Sequence, residues 1–227
     1  MENCNFCSII KKEKTEVIAD TILLETTNFF VTTTLGCLTK NYIMIISKKH
    51  IVSMCYLEKE EQKELTNLIE VFKKIFRSEY GFYPLIFEHG ASNCDINKSS
   101  CCILHAHIHI VPHMLNNKDR MIEKLGLIRE NEYNSFFESA YNVPYLLFID
   151  NNENIYMRNL VSSVAPSQII RKWISKDMGI AEKWDWRIYP FSKNIISTVR
   201  EMGFLIKNKY RRMFDLLFDI YDEIGDI

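Results

Sequence analysis

Runs of β-branched and aromatic residues in the first half of the chain predict β-strands separated by polar segments. The predicted strands cover residues 22–26, 29–33, 42–48, 85–88 and 103–112. The stretch before the last strand, residues 90–100, is rich in Asn, Ser and Asp, which predicts a loop. These strands need a partner layer to cover at least one face of the sheet they form.

A long helix is predicted over residues 57–80, between the third and fourth strands. Its apolar residues recur at helical spacing and form one stripe, made of Leu65, Leu68, Ile69, Phe72 and Ile75. Gly81 follows directly, at the position where a glycine commonly ends a helix. This stripe is the natural cover for the predicted strands.

The second half of the chain has a different pattern. Helices are predicted over residues 121–127, 167–177, 193–202 and 211–224, and a hairpin over 144–150 and 154–158. The sequence therefore predicts an α+β fold over residues 1–130. A mixed, mainly helical C-terminal extension of unknown role follows over residues 131–227.

Composition narrows the classes of function. The 227 residues are 47% hydrophobic and 25% charged, with a formal net charge of -1, so the chain has no basic field for nucleic-acid binding. The polar N-terminus lacks a signal-peptide core, and the apolar runs are too short to span a bilayer. We therefore expect a cytoplasmic protein without membrane contact, whose seven cysteines stay reduced.

Four of the six histidines fall within nine consecutive residues, 105–113, three of them in the last predicted strand and one directly after it. His105, His107 and His109 alternate with apolar residues, and alternate side chains of a strand project from one face. Three interpretations follow: a solvent-facing strand surface, a catalytic metal centre, or nucleophilic catalysis by imidazole. Strict alternation of three histidines makes the first interpretation the weakest.

A Cys-x-x-Cys pair at Cys4 and Cys7 has the spacing that lets two thiolates share one tetrahedral zinc ion. His50, at the end of a predicted strand, is a candidate third ligand, and His105 is a candidate fourth. The alternatives are a redox pair or a disordered N-terminal tip. A redox pair would be expected beside a thioredoxin-like βαβ pattern, which is not present nearby.

Taken together, these motifs resemble the histidine-triad (HIT) superfamily over roughly residues 1–115. The resemblance rests on the Cys4–Cys7 pair, the strand that ends in Lys48-Lys49-His50, the Phe87-Glu-His-Gly90 segment, Cys101 and the triad itself. It implies an antiparallel sheet with a long helix. It also implies a protein with a small nucleotide as substrate, and a homodimer is one possible assembly.

The resemblance implies roles for the histidines. His107 would attack the α-phosphorus of a nucleotide and form a covalent nucleotidyl intermediate, with its second ring nitrogen held by a backbone carbonyl. His109 would donate to the phosphate or assist the leaving group. Cys4, Cys7, His50 and His105 would hold a structural zinc ion, so that the chemistry at His107 is free of metal.

Candidate substrate-binding residues follow from the same resemblance. They are Asn41, Glu88, His89, Gly90, Ser100 and Cys102. Asn41 stands where many members carry a fourth histidine, Thr33 stands near the usual acidic ribose-binding position, and Cys102 stands where a serine often precedes the triad. For the segment 88–90, an ordinary strand-to-loop turn around a glycine is an equally good interpretation.

The sequence leaves the reaction partly open. The predicted activity is hydrolysis or nucleotidyl transfer at a phosphoanhydride, phosphoester or phosphoramidate bond, with the base and leaving group undefined. One alternative is a metallohydrolase that uses the three histidines as ligands. Another is a non-catalytic nucleotide-binding protein, which the asparagine at position 41 favours.

Overall fold

The computed structural model describes residues 4–13, 17–92, 104–161 and 165–218. Eight strands are present in this part of the chain: β1 Leu24–Glu25, β2 Phe29–Thr33, β3 Ile43–Ser47, β4 Leu85–Gly90, β5 His107–Val111, β6 Ile128–Glu130, β7 Tyr145–Ile149 and β8 Ile155–Asn159. The α-helices of the same part are α1 Asn5–Ile10, α2 Lys59–Tyr80, α3 Lys118–Leu125, α4 Tyr133–Ala140, α5 Ile169–Asp177, α6 Ser192–Phe204 and α7 Arg211–Asp215. A π-helical turn, Leu205–Lys209, joins the last two.

All eight strands form one antiparallel sheet, in the order β1-β2-β3-β5-β4-β7-β8-β6. β5 lies at the centre, where His107 pairs with Ile46 of β3 and His109 pairs with Met44. On its other side, His109 pairs with Phe87 of β4. The predicted α+β fold with an antiparallel sheet is confirmed.

Helix α2 covers the face of the sheet opposite the histidines. Its apolar stripe packs with Ile108 and Ile110 of β5 in the largest hydrophobic cluster. The Glu61 side chain accepts a hydrogen bond from the backbone N–H of Glu58 and so caps the first turn. Gly81 ends the helix with a φ of 79°. The predicted helix, its stripe and its C-terminal glycine are therefore all present.

Two hydrophobic clusters cover the histidine face. At one end, Phe6 and Ile9 of α1 pack on Phe30, Met44 and Ile46. At the other end, residues of α3, α5 and α6 pack on apolar side chains of β4, β5 and β7. His107 and His109 lie on the sheet face between these two clusters, so the C-terminal region supplies one wall of their surroundings.

The sheet continues past residue 130, where the sequence predicts a boundary. β7 pairs with β4 over five residues, from Ile86 opposite Ile149 to Gly90 opposite Tyr145. β8 and β6 extend the sheet further. The two predicted regions thus share one sheet, although their division into separate domains stays a prediction. Within the described residues, no helix is long and apolar enough to cross a bilayer.

Candidate active site and metal centre

His107 lies at the start of β5 with one ring nitrogen held by the backbone. Its Nδ1 lies 2.6 Å from the carbonyl oxygen of His105, which accepts a hydrogen bond and so must receive one from Nδ1–H. The neutral ring then keeps a lone pair on Nε2. Burial is the main cause that lowers the pKa of His107 to about 4; the hydrogen bond to the His105 carbonyl opposes this shift, and the charge of the His105 ring adds to it. A neutral imidazole with a bare Nε2 is the nucleophilic form of this side chain.

His109 lies beside His107 on the same sheet face. The two ring centroids are 4.9 Å apart, and the His109 ring stacks on Phe87 at 4.6 Å. Its Nδ1 lies 3.0 Å from the hydroxyl of Tyr42. Burial, followed by the neighbouring His107 and Arg171, holds the pKa of His109 well below its usual range. Both catalytic candidates therefore stand together as neutral imidazoles.

His105 is turned toward the N-terminal cysteines. β5 begins only at His107, so His105 precedes the strand, and its side chain is buried. Its Nε2 lies 2.7 Å from the carbonyl oxygen of Ser47, and this bond assigns Nε2 the proton and leaves Nδ1 as the free ligand atom. Burial lowers the pKa of His105, which favours the neutral form that a metal ligand requires.

The four predicted metal ligands come together in one cluster. Nδ1 of His105 lies 3.3 Å from Sγ of Cys4, 3.7 Å from Sγ of Cys7 and 3.2 Å from Nδ1 of His50. Sγ of Cys7 lies 3.2 Å from Nδ1 of His50, and all four ligand atoms fall within 4.8 Å of one another. Two cysteine sulfurs and two imidazole nitrogens at this separation could hold one metal ion.

His89 joins the histidine face from β4. It lies two residues beyond Phe87, so its side chain projects from the same face as Phe87 and His109. Burial is the larger and His107 the smaller of the two causes that lower its pKa to about 4. Of the residues of segment 88–90 predicted to bind substrate, His89 is the one that the structure brings to the histidines.

Glu88 faces the other side of the sheet. Its carboxyl group accepts a hydrogen bond from the backbone N–H of Met54 at 3.0 Å and another from the hydroxyl of Tyr145. Burial raises the pKa of Glu88 to about 8. Gly90 is in close contact with the same tyrosine, because a Cβ atom at position 90 would collide with the Tyr145 ring. The described structure thus gives both residues packing roles away from the histidines.

Asn41 precedes β3 by two residues, at the end of that strand farther from the position paired with His107. Its backbone has a φ of 63°, so it belongs to the turn before the strand. Its backbone N–H donates to Thr198 at 2.7 Å, and its side-chain amide donates to Tyr80 at 2.6 Å and Glu201 at 3.3 Å. The structure does not bring Asn41 to the triad, and its role in substrate binding stays a prediction.

Two further candidates, Ser100 and Cys102, lie outside the described residues.

The structure adds two residues that the sequence analysis did not place at the site, Tyr42 and Arg171. Tyr42 directly precedes β3 and continues the alternation of Met44 and Ile46, which is a signal that the sequence offered. Arg171 belongs to α5 and is more than sixty residues from the triad, so no local pattern links it to the histidines.

The structure is similar to solved HIT family proteins. A hypothetical histidine triad nucleotide-binding protein from Sulfolobus tokodaii is 20% identical, with a TM-score of 0.36 over 48% of this chain and 68% of that chain. A HIT family hydrolase from Clostridium thermocellum is also 20% identical, with a TM-score of 0.35 over 49% and 90% of the two chains.

A HIT family member from Bacillus subtilis is 22% identical, with a TM-score of 0.39 over 49% of this chain and 74% of that chain. No protein-family model matches the chain, and no curated protein matches its sequence. The similarity to HIT proteins thus covers about half of the chain at low TM-scores.

Proposed function

We propose that the protein is a nucleotide hydrolase or nucleotidyltransferase that reacts at the α-phosphorus through a covalent nucleotidyl–His107 intermediate. The observation that carries the proposal is the hydrogen bond from Nδ1 of His107 to the carbonyl oxygen of His105. It leaves the lone pair on Nε2, and no hydrogen-bond partner occupies Nε2 among the described residues. The similar structures include a nucleotide-binding protein and a hydrolase, which agrees with this class of activity.

In the proposed reaction, the Nε2 lone pair of His107 forms a bond to the α-phosphorus while the bond to the leaving group breaks. His109, beside it, donates a hydrogen bond to the phosphate or to the leaving group, which departs with the bonding electron pair. Water or another acceptor then attacks the phosphorus, the P–N bond breaks and the imidazole of His107 is restored. Two displacements through a histidine replace one difficult displacement.

The zinc ion is proposed as structural. Cys4, Cys7, His50 and His105 would hold it, which uses all four positions of a tetrahedron and leaves none for substrate. Bound there, zinc would fix α1 to the sheet, and Phe6 of α1 contacts the rings of His105 and His107 at 5.5 and 5.4 Å between centroids. The site thus supports the position of His107 without taking part in the displacement.

Intact-mass measurement after brief mixing with a nucleotide panel tests the proposal. The panel contains dinucleoside polyphosphates, nucleotide sugars and nucleoside phosphoramidates. We expect an added nucleotidyl mass on the wild-type protein, its absence in His107→Asn, and its retention in the matched control His113→Gln, which lies outside the triad. Full turnover by His107→Asn would refute the covalent route.

A metallohydrolase built on all three histidines remains the second candidate, and the geometry favours it less. His105 is directed to the cysteine pair, and Nδ1 of His107 is engaged by a backbone carbonyl. If the three histidines shared one ion, His107→Asn would release it.

The proposal also includes the setting of the protein. We propose a cytoplasmic location and a small nucleotide as partner, without nucleic-acid binding. The proposed assembly is a homodimer.

A further inference from the structure

Arg171 of helix α5 places a buried guanidinium group near the histidine face. The residue is only 3% exposed, and its three nitrogens have three separate acceptors. Nε donates to the carbonyl of Trp184 at 3.2 Å, NH2 to the carbonyl of Gly36 at 2.6 Å, and NH1 to the hydroxyl of Tyr42 at 3.3 Å. Gly36 makes this approach possible, because a Cβ atom there would lie 2.6 Å from the guanidinium.

The charge of this group has no carboxylate partner. All three acceptors are neutral, and among residues 4–13, 17–92, 104–161 and 165–218 no carboxylate oxygen lies within ion-pair distance of Arg171. The nearby Asp185 bonds to Gln168 and Arg187 instead. A buried cation is usually paired, so an unpaired one that is linked to His109 through Tyr42 indicates that an anion completes the site.

Tyr42 connects this cation to His109. It is fully buried, and within the described part of the chain its hydroxyl has two partners, Arg171 and Nδ1 of His109. An arginine can only donate, so the Tyr42 oxygen accepts from NH1. If Nδ1 of His109 also donated, the hydroxyl proton would be buried without an acceptor, which is unfavourable. The proton of Tyr42 therefore goes to Nδ1 of His109.

The hydroxyl keeps that proton at working pH. Burial raises the pKa of Tyr42 to about 12, although Arg171 opposes the rise. A Tyr42 donor makes Nδ1 of His109 an acceptor, and the ring proton must then be on Nε2. Within the described residues, Nε2 of His109 has no hydrogen-bond partner, so it is free to donate to a ligand.

We propose that Arg171 and Tyr42 are positioning residues that hold His109 as the Nε2–H tautomer. This tautomer makes His109 the donor to the substrate phosphate or leaving group. Arg171 is supplied by the C-terminal extension. This inference rests on the proposed function. His107 and His109 then carry opposite tautomers on one sheet face: His107 presents a bare Nε2 as nucleophile, and His109 presents Nε2–H as a hydrogen-bond donor. The unpaired charge of Arg171 adds a preference for an anionic substrate group.

Histidine ¹⁵N NMR of the zinc-loaded full chain tests the tautomer directly. The His109 signals are assigned by their loss in His109→Gln. We expect a protonated Nε2 and an unprotonated, hydrogen-bonded Nδ1 in the wild type. In Tyr42→Phe, the Nδ1 signal should move toward the shift of a free nitrogen or toward a mixture of tautomers. Protonated Nδ1 in the wild type, or an unchanged spectrum in Tyr42→Phe, overturns the inference.

Tyr133→Phe is the matched control, because the Tyr133 hydroxyl is also buried and has no hydrogen-bond partner in the described structure. The control should keep the His109 spectrum and the activity. Tyr42→Phe should lower kcat roughly 10- to 100-fold with little change in KM, the usual scale for removing a group that orients a functional histidine. Arg171→Gln should lower kcat further and raise KM, because it removes both the donor to Tyr42 and the charge.

The two proposals fail in different ways. A wild-type protein that forms the His107 adduct but carries Nδ1–H on His109 contradicts the inference alone. A wild-type protein that has the stated tautomer but never forms an adduct contradicts the proposed function. If Tyr42→Phe does not fold, the wild-type spectrum still decides which nitrogen of His109 holds the proton.

Discussion

Nε2 of His113 lies 2.9 Å from Oδ2 of Asp177, which joins the segment after β5 to the last turn of α5. The same carboxylate accepts hydrogen bonds from the backbone and side-chain amides of Asn116 and from the side chain of Asn117. These bonds outweigh the effect of burial and hold the pKa of Asp177 below its usual value. One buried carboxylate thus fastens the C-terminal region to the strand that carries the triad.

Replacing Asp177 should therefore destabilise the protein. Asp177→Ala leaves several donors without their acceptor, and we expect the free energy of unfolding to fall by about 2–4 kcal/mol. Urea unfolding at neutral pH measures it. The control Glu182→Ala removes an exposed carboxylate whose ion pair with Lys183 spans 4.0 Å, and it should change the free energy of unfolding by less than about 0.5 kcal/mol. Equal effects of the two substitutions would contradict the assigned role.

Zinc content should depend on the four clustered ligands and on no other histidine of the triad. Cys7→Ser and His105→Asn each remove one ligand, so the purified variants should lose most of their zinc by elemental analysis and melt at lower temperature. His107→Asn should keep one zinc ion per chain, since His107 is engaged by a backbone carbonyl. Zinc lost from His107→Asn but kept by Cys7→Ser would support the metallohydrolase instead.

The buried carboxyl of Glu88 should make stability depend on pH. Burial raises its pKa to about 8, whereas an unfolded glutamate titrates near its ordinary value of about 4.3, so the folded state binds more protons between these values. The stabilisation of the folded state by protonated Glu88 is complete below the pKa that Glu88 has in the unfolded chain. It is lost as the pH rises through about 8, the pKa in the folded state. The free energy of unfolding should fall by up to about 1.4 kcal/mol per pH unit in this window.

Comparing Glu88→Gln with the wild type at pH 5.5, 6.5 and 7.5 isolates this effect. The variant keeps a neutral polar group beside Tyr145 and Met54, so its stability should vary less with pH across the series. Glu123→Gln, which changes an exposed glutamate of α3, should follow the wild-type curve. Parallel curves for Glu88→Gln and the wild type would show that Glu88 is ionised in the folded protein.

Gly90 should be required for packing. Gly90→Ala places a Cβ atom against the Tyr145 ring, and we expect a loss of about 1–3 kcal/mol in the free energy of unfolding from such overpacking. Gly203 of α6 is the matched control, because a Cβ atom there meets no neighbour within 4 Å. Gly203→Ala should stabilise the helix by about 0.5–1 kcal/mol. Thermal unfolding of both variants measures the contrast, and a neutral Gly90→Ala would remove the packing explanation.

Local patterns predicted most of the elements and, together with the family resemblance, the cysteine–histidine cluster. Strand β2, the stripe of α2 and its end at Gly81 follow from periodicity and from glycine conformation, both of which are properties of neighbouring residues. The cluster of Cys4, Cys7, His50 and His105 followed from a short spacing motif and from the family resemblance. Helix α4 and the short edge strand β6 were not predicted, because each has too few residues for a clear period.

Contacts between residues far apart in sequence required the tertiary structure. The sequence placed Glu88, His89 and Gly90 together, but strand alternation sends Glu88 to the face opposite His89, and packing assigns Gly90 to Tyr145. It placed Asn41 near the triad, whereas Asn41 bonds to Thr198 and Tyr80.

The sequence by itself determined the three histidines, the strand that carries His107 and His109, and the two thiols, because these depend on residue type and spacing. Only the tertiary structure decided which ring nitrogen each histidine presents and that Arg171 stands behind His109. The reason is physical: a tautomer is set by the hydrogen-bond partner of the other nitrogen, and that partner comes from a distant part of the chain.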